Sequence, residues 1–192
     1  MDKAKFRSML KCVLVLAVIA LCSGLLLGAF NRLTYVDPLQ SAYDRFAADT
    51  GATFNSMRDA DGKVYGQGSV VYYAVSNDEV YHAFLAEGKE GFGGTVQVYV
   101  YIKDDKIDKI VIGENSDNYL FKLEEAEFYD NFIGKDVFSL DVLGTDAVAG
   151  ATKSSTAVKN AVNAAVRYYV DGNGQPVQTA LREIASGGKE NG

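Results

Sequence analysis

Residues 12–30 are an uncharged run of Val, Leu, Ile, Ala and Phe with a few small residues between them, and no other stretch limits the possible folds as severely. At about 1.5 Å per residue, a helix of that length covers a hydrocarbon core of about 30 Å. Lys3, Lys5, Arg7 and Lys11 precede the run, whereas Arg32 alone follows it closely. That asymmetry predicts a cytoplasmic N-terminus, with the chain from residue 31 onward on the outer side. A cleaved signal peptide is the competing reading, but the run is long for one and is not followed by a small-x-small cleavage site. Leu21 before Cys22 is also bulkier than a lipoprotein signal wants at that position. The expected organisation is a basic leader (1–11), a transmembrane anchor (12–30), an extracytoplasmic domain (31–185) and a polar, Gly-rich tail (186–192) without fixed structure.

Beyond the anchor the composition narrows the chemistry. Both cysteines, Cys12 and Cys22, fall inside the run, so the outer domain is denied disulfides, a cysteine zinc cluster and a cysteine nucleophile. Four of the 19 basic and one of the 25 acidic side chains lie before residue 12, which leaves a formal charge of −9 on the rest. Nucleic acid and anionic lipid surfaces would repel such a domain.

Apolar periodicity then sets the element order. Asp37-Pro38 reads as an N-cap followed by Pro at the first helical position, and Leu39, Ala42, Tyr43, Phe46 and Ala47 give helical spacing that stops near Gly51. Residues 63–65, 69–76 and 79–86 read as strands, with Asp61-Gly62 and Ser76-Asn77-Asp78 as turns. Gly91-Phe92-Gly93-Gly94 breaks the pattern. Residues 95–113 form a hairpin that places Val96, Val98, Val100 and Ile102 on one face and Gln97, Tyr99 and Tyr101 on the other. A helix is expected over 122–131 with Leu123, Ala126 and Phe128 inward, then a short strand over 137–142. Ala157, Val158, Ala161, Val162, Ala165, Val166 and Tyr169 trace a second helix that stops at residues 171–174, and 177–185 could add a terminal one. The fold class is α+β, with a largely antiparallel sheet flanked by helices.

Ala149-Gly150-Ala151-Thr152 has no bulky side chain ahead of its hydroxyl, so a large planar group can approach the backbone closely. Ser154 or Ser155 would cap the helix that follows, whose free N–H groups and dipole would stabilise a phosphate on Thr152, with Lys153 as counter-charge. On the residues alone, an ordinary loop-to-helix cap explains the stretch better. A nucleotide-binding P-loop does not fit, because five residues separate Gly144 from Gly150 and Lys153 comes too late.

The stretch resembles the flavin-attachment motif of the RnfG/NqrC family of FMN-binding domains, Asp-x-x-(Ser/Thr)-Gly-Ala-Thr. Asp146, Gly150, Ala151 and Thr152 match in register, and Ala149 stands where the family has Ser or Thr. Ser155 with the Ala/Val helix, Gly91-Phe92-Gly93-Gly94, Phe132-Ile133-Gly134-Lys135 and the anchor with its basic leader extend the likeness along most of the chain. Of the family's Glu-Thr-Pro-Gly-Leu-Gly near the flavin, Glu114 alone remains. The resemblance implies FMN linked through a phosphoester to Thr152, placed by a flavin transferase that uses FAD, with Asp146 serving recognition or geometry. It also implies a single-pass electron-transfer protein of the cell membrane, the G subunit of an Rnf-type ion-translocating ferredoxin:NAD⁺ oxidoreductase, with other Rnf-type membrane subunits as partners. The alternatives are a stand-alone extracytoplasmic flavin reductase domain of the same family, or an anchored binding or structural domain without flavin.

Other candidates receive ordinary readings. Thr50-Gly51-Ala52-Thr53 matches the core tetrapeptide but lacks the aspartate before it and the Ala/Val helix after it, so it reads as a helix C-cap. His82, the single histidine, sits in a strand and is given no role; Glu124, Glu125 and Glu127 are a solvated helix face without metal-ligand spacing. The 12 tyrosines and 10 phenylalanines could stack on a flavin, though most belong to the core or sheet surface.

Overall fold

The computed structural model describes residues 3–35, 37–54 and 57–172. The chain divides into two units, one ending at Ser41 and one beginning at Ala42.

In the first unit, helix α1 (Lys3–Thr34) carries the apolar run. Among the described residues it is the one helix long and apolar enough to cross a membrane, with an 18-residue window of mean hydropathy 2.7, none of it buried. An apolar helix left unburied along this window is suited to lipid, which supports anchoring of the chain in a membrane. Its hydroxyls comply with a medium that supplies no hydrogen bonds: Ser23 Oγ donates to Ile19 O and Thr34 Oγ1 to Phe30 O, each at 2.8 Å. Helix α2 (Pro38–Thr50) begins as expected, with Leu39 N–H donating to Asp37 Oδ1 at 3.0 Å and Pro38 at the first helical position.

The second unit is a five-stranded antiparallel meander in the order β1 (Met57–Tyr65), β2 (Gly68–Val75), β3 (His82–Gly91), β4 (Gly94–Lys103) and β5 (Lys106–Ile112). Both faces of the central strands are covered, which is why β2 and the first half of β3 read as near-continuous apolar runs. Phe84, Ala86, Val96, Val98, Val100 and Ile102 face helix α4 (Thr152–Val170) and share its core. Their alternates Ala83, Leu85 and Tyr101 face Ala42 and Phe46 of α2. This second layer is fastened by Asp49, whose carboxylate accepts from Arg45 Nε at 2.8 Å and from the Tyr101 hydroxyl at 2.7 Å. Lys109 Nζ adds an ion pair at 3.8 Å and donates to the Asp49 carbonyl at 3.1 Å.

The seat of α4 is made by two glycines. Gly68 and Gly88 are partners across β2 and β3. A Cβ on Gly88 would lie 1.8 Å from Ala157 O, and one on Gly68 would lie 2.0 Å from Asn160 O. With hydrogens on that side of the sheet and Ala157, Ala161 and Ala164 on the helix, two backbones approach as no larger residues would allow.

Four local expectations are corrected. Asp61-Gly62 is not the hairpin turn: it lies within β1, where the register shifts between Asp59 and Lys63, and the turn is at Gly66, with φ +65°. Bulges and turns both want a residue at positive φ, so the dipeptide did not discriminate between them. Residues 137–142 are not a strand. One bridge, Lys106 to Asp136, comes just before them, and the chain then turns on aspartate side chains, Asp136 Oδ1 accepting from Phe138 N–H and Asp141 Oδ1 from Gly144 N–H. The helix expected over 122–131 is broken: α3 (Leu120–Glu125) ends before Glu127, which takes φ +50°, and a 3₁₀ turn (Phe128–Asn131) follows. Leu123 and Phe128 are inward as expected, and the break leaves Ala126 exposed. The third strand starts at His82 rather than at residue 79 and runs on to Gly91. Helix α4 stops where expected, with Gly172 at φ +81°. The terminal helix (177–185) and tail (186–192) lie outside the described residues.

Candidate functional site

Three segments far apart in sequence meet at the first turn of α4: the β3–β4 turn at residues 91–94, the loop at 115–119, and residues 146–155. A buried carboxylate joins them. Asp117, 6% exposed, accepts from Phe92 N–H at 2.9 Å through Oδ2 and from Tyr119 N–H at 2.9 Å through Oδ1. The Ser154 hydroxyl lies 2.9 and 2.8 Å from its two oxygens and donates to them. Asn115 Oδ1 accepts from Asp117 N–H at 3.0 Å and sets the loop that aims the carboxylate inward. The glycines of the β3–β4 turn serve the same junction, since a Cβ on Gly93 would fall 2.2 Å from Ser116 O. A buried carboxylate with several donors, at the positive end of a helix, is stabilised by both.

Neither serine is the cap the sequence suggests. Helix α4 is preceded by Ala151 at the N-cap, without a side-chain cap, and Ser154 and Ser155 sit inside the first turn with no exposed surface. Buried hydroxyls need partners. Ser154 finds Asp117. Ser155 Oγ accepts from Val148 N–H at 3.0 Å and donates to Ala151 O at 3.0 Å, which stitches the preceding loop to the helix. Lys159 Nζ holds the same loop further back, donating to Thr145 O at 2.8 Å and Leu143 O at 3.2 Å.

Thr152 is the first residue of α4 and is exposed. Among the described residues, none makes a hydrogen bond to its hydroxyl. The first intrahelical bond runs from Ser155 N–H to Ala151 O at 2.9 Å, so the N–H groups of Thr152, Lys153 and Ser154 precede the ladder. Lys153 is exposed beside them. Gly150 takes φ +75° and Ala151 is buried at 4%, so the chain reaches Thr152 without a side chain over it. Asp146 is exposed at the far end of this loop. Glu114 is exposed as well, and it lines a shallow hollow with Glu87, Thr95, Gln97, Asn115 and Ser116, none of which belongs to residues 146–155.

The look-alike at residues 50–53 differs in the respect that matters. Thr50 Oγ1 donates to Phe46 O at 2.7 Å and accepts from Ala52 N–H, and Thr53 Oγ1 accepts from Asn77 Nδ2 at 2.9 Å. With Gly51 at φ +70°, this is a helix C-cap whose hydroxyls are engaged. His82 is a packing residue, stacked on Tyr73 and edge-on to Tyr169. Glu124, Glu125 and Glu127 are solvated. Among the described residues, no group of three or more His, Cys, Asp or Glu side chains is placed to hold a metal ion.

Sequence reasoning missed Asp117, Tyr119 and Lys122. Lys122 Nζ stands 5.2 Å over the Tyr119 ring and 3.4 Å from Gly150 O, bringing a cation to the backbone two residues before Thr152. The ring of Tyr119 meets Phe92 edge-on at 4.5 Å, and Phe92 remains 58% exposed.

Residues 91–167 match the family model described as FMN-binding domain, a span that opens on the β3–β4 turn and closes within α4. All three segments of the site lie inside it. Neither a curated protein nor a solved structure gives a significant match to the chain. The family match supports FMN as the cofactor and a flavin-binding electron-transfer protein.

Proposed function

We propose that the chain is a membrane-anchored electron-transfer flavoprotein whose FMN is esterified through its phosphate to Thr152, of the kind that serves as the G subunit of an Rnf-type ion-translocating ferredoxin:NAD⁺ oxidoreductase. The observation that carries this reading is the exposed, unengaged hydroxyl of Thr152 at the first position of α4, within residues that match an FMN-binding domain.

The residues present fit the phosphate ester. The N–H groups of Thr152, Lys153 and Ser154 and the positive end of the helix favour a phosphate dianion or diester at this point, and Lys153 offers a further charge. Gly150 and Ala151 bring no bulky side chain of their own to the approach, and the neighbour at Gly150 is the flexible end of Lys122. In the attachment step, Thr152 Oγ1 bonds to the FMN phosphorus of FAD, the bridging P–O bond breaks, AMP departs with the bridging oxygen, and the hydroxyl proton is lost. Asp146, exposed at the loop's far end, is available for recognition by the FAD-dependent transferase.

Bound FMN supplies one- and two-electron redox chemistry. The chain holds it, and α1 keeps the holder at a membrane. The basic residues in the first part of α1, ahead of its apolar run, favour a cytoplasmic N-terminus, an extracytoplasmic domain and residence in the cell membrane. On that side a covalent tether is valuable, because a dissociated flavin would be diluted, whereas a linked one keeps a high local concentration. The partners are the transferase during maturation and integral-membrane subunits of an Rnf-type complex during turnover.

Intact-mass measurement of the full chain co-produced with a flavin transferase tests the attachment. The expected result is a gain of one FMN phosphoryl ester that disappears in Thr152→Ala. A gain that persists in Thr152→Ala refutes the assignment. Copurification with integral-membrane redox subunits tests the assembly.

A further inference from the structure

Phe92, Tyr119 and Lys122 come together beside the first turn of α4, with Tyr119 partly packed against the core and Lys122 reaching Gly150 O. Phe92 sits at the tip of the β3–β4 turn with 58% of its surface exposed. A large apolar ring is not placed at a hairpin tip for the core's benefit, and it is not loose, because its N–H is fixed at 2.9 Å to the buried Asp117 carboxylate. Tyr119, partly exposed, is held to the same carboxylate through its own N–H at 2.9 Å and packs its ring edge-on against Phe92 with centroids 4.5 Å apart. Lys122 Nζ caps the assembly, 5.2 Å over the Tyr119 ring and 3.4 Å from Gly150 O.

Two independent links place this group beside Thr152. The same Asp117 carboxylate that fixes Phe92 and Tyr119 accepts from Ser154, two residues after the acceptor threonine. Lys122 meets Gly150, two residues before it. An edge-on pair of aromatic rings, with a cation over the face of one of them, is thus tied to the chain on both sides of Thr152, which the preceding reading makes the flavin's anchor. A planar, π-rich, electron-poor ring gains from stacking on such a pair. A ring that becomes anionic when reduced gains from the adjacent ammonium.

Resting on the attachment of FMN at Thr152, we propose that Phe92 and Tyr119 form the platform for the isoalloxazine ring, with Lys122 as the cation that faces its electron-accepting end. Phe92 and Tyr119 hold the ring against the 115–119 loop and shield one face from water, and Lys122 stabilises its reduced, anionic form. Tyr119 stands in the loop where this chain departs from the family's motif, so that half of the platform is a property of this chain.

The test uses the full chain in detergent, loaded with FMN by co-produced transferase, with loading measured by intact mass. A tyrosine in contact with excited flavin quenches its emission by electron donation. The expected result is weak emission from the loaded wild-type protein relative to free FMN, and a several-fold rise at equal loading in Tyr119→Leu. In Phe92→Ala, emission and accessibility to iodide both rise. Because Phe92 is mostly exposed, its replacement leaves the core intact even where Tyr119→Leu perturbs the loop. Lys122→Gln shifts the flavin midpoint potential to more negative values. Loaded Tyr119→Leu and Phe92→Ala proteins with wild-type emission and iodide accessibility overturn the platform and leave the attachment standing. A wild-type chain that gains no FMN overturns both.

Discussion

Replacing Gly88 by alanine adds one methyl group at the point where β3 touches α4, and the geometry makes this a severe change. The new Cβ would stand 1.8 Å from Ala157 O and 2.8 Å from Ala157 C and Ala161 N. Ordinary contact begins near 3.4 Å, so the helix backbone must retreat by about 1.6 Å locally. No rotamer relieves the clash, because the obstructing atoms are main chain. Overfilling a packed core costs about 1–3 kcal/mol, more where backbone has to move. Withdrawal of the helix also thins the contacts that Val158, Ala161, Val162 and Ala165 make with Phe84, Ala86 and Val98. Against this, removing a glycine stiffens the unfolded chain and returns about 0.4–1 kcal/mol. The net expectation is a loss of about 3 kcal/mol. With a urea slope of about 2 kcal/mol/M, the unfolding midpoint falls by about 1.5 M. Equilibrium urea unfolding of the full chain in detergent, followed by circular dichroism, measures it. Gly51→Ala is the control: it has open space around it and φ +70°, so it carries backbone strain without collision and loses about 1 kcal/mol. A Gly88→Ala midpoint equal to or above that of the wild type refutes the close-approach argument.

Two further predictions concern titratable groups within the fold. Burial pushes the His82 pKa from 6.5 down to about 4, against the opposing charge of Asp105, and Nδ1 stands 2.9 Å from the Tyr73 hydroxyl. The unfolded ring takes up a proton as pH falls through about 6.5 while the folded ring stays neutral until about 4, so stability drops across that window by at most about 3 kcal/mol. Melting temperatures from pH 7 to 4.5 should fall steeply in the wild type and less so in His82→Gln; parallel curves would contradict the assignment. For Asp49, burial pushes the carboxyl upward, but hydrogen bonds from Arg45 and Tyr101 and the charges of Arg45 and Lys109 outweigh it and hold the pKa below 3.8. Its contribution is therefore full above pH 3.8 and is lost as pH falls through the lower folded value. Asp49→Ala should cost about 2 kcal/mol at pH 7 by unfolding in urea, and a double-mutant cycle with Tyr101→Phe should show coupling near 1 kcal/mol. Additive effects would mean that the 2.7 Å contact carries no energy of its own.

The parts of this fold that were legible in the sequence are those whose cause is local. The uncharged run 12–30, the Asp37-Pro38 start of α2, the alternation through β4 and the Ala/Val stripe of α4 each state their structure within a dozen residues, because side-chain period and capping are short-range physics. Where a residue type serves two local purposes, the reading failed: Asp61-Gly62 suits a turn and a bulge equally, and only the pairing of Lys63 with Val70 decides between them. The site was half legible for the same reason. Small residues before Thr152 and a helix after it are visible in the chain itself, but Ser154 or Ser155 reads as a cap, because a hydroxyl near a helix start is usually satisfied by the helix.

Ser154 is instead satisfied by a carboxylate 37 positions away in sequence, and nothing near Asn115-Ser116-Asp117 announces that partner. Gly68 and Gly88 were equally silent, since a missing side chain has meaning only once another backbone is placed against it. These long-range features are what give the local motif its use. The glycines set the depth at which α4 lies on the sheet, Asp117 fixes its first turn against the β3–β4 turn, and Ser155 and Lys159 hold the approach loop. Together they leave the Thr152 hydroxyl outside the packing. The acceptor role proposed for Thr152 needs a hydroxyl that is rigidly held yet unengaged, and here the rigidity comes from residues outside the tetrapeptide.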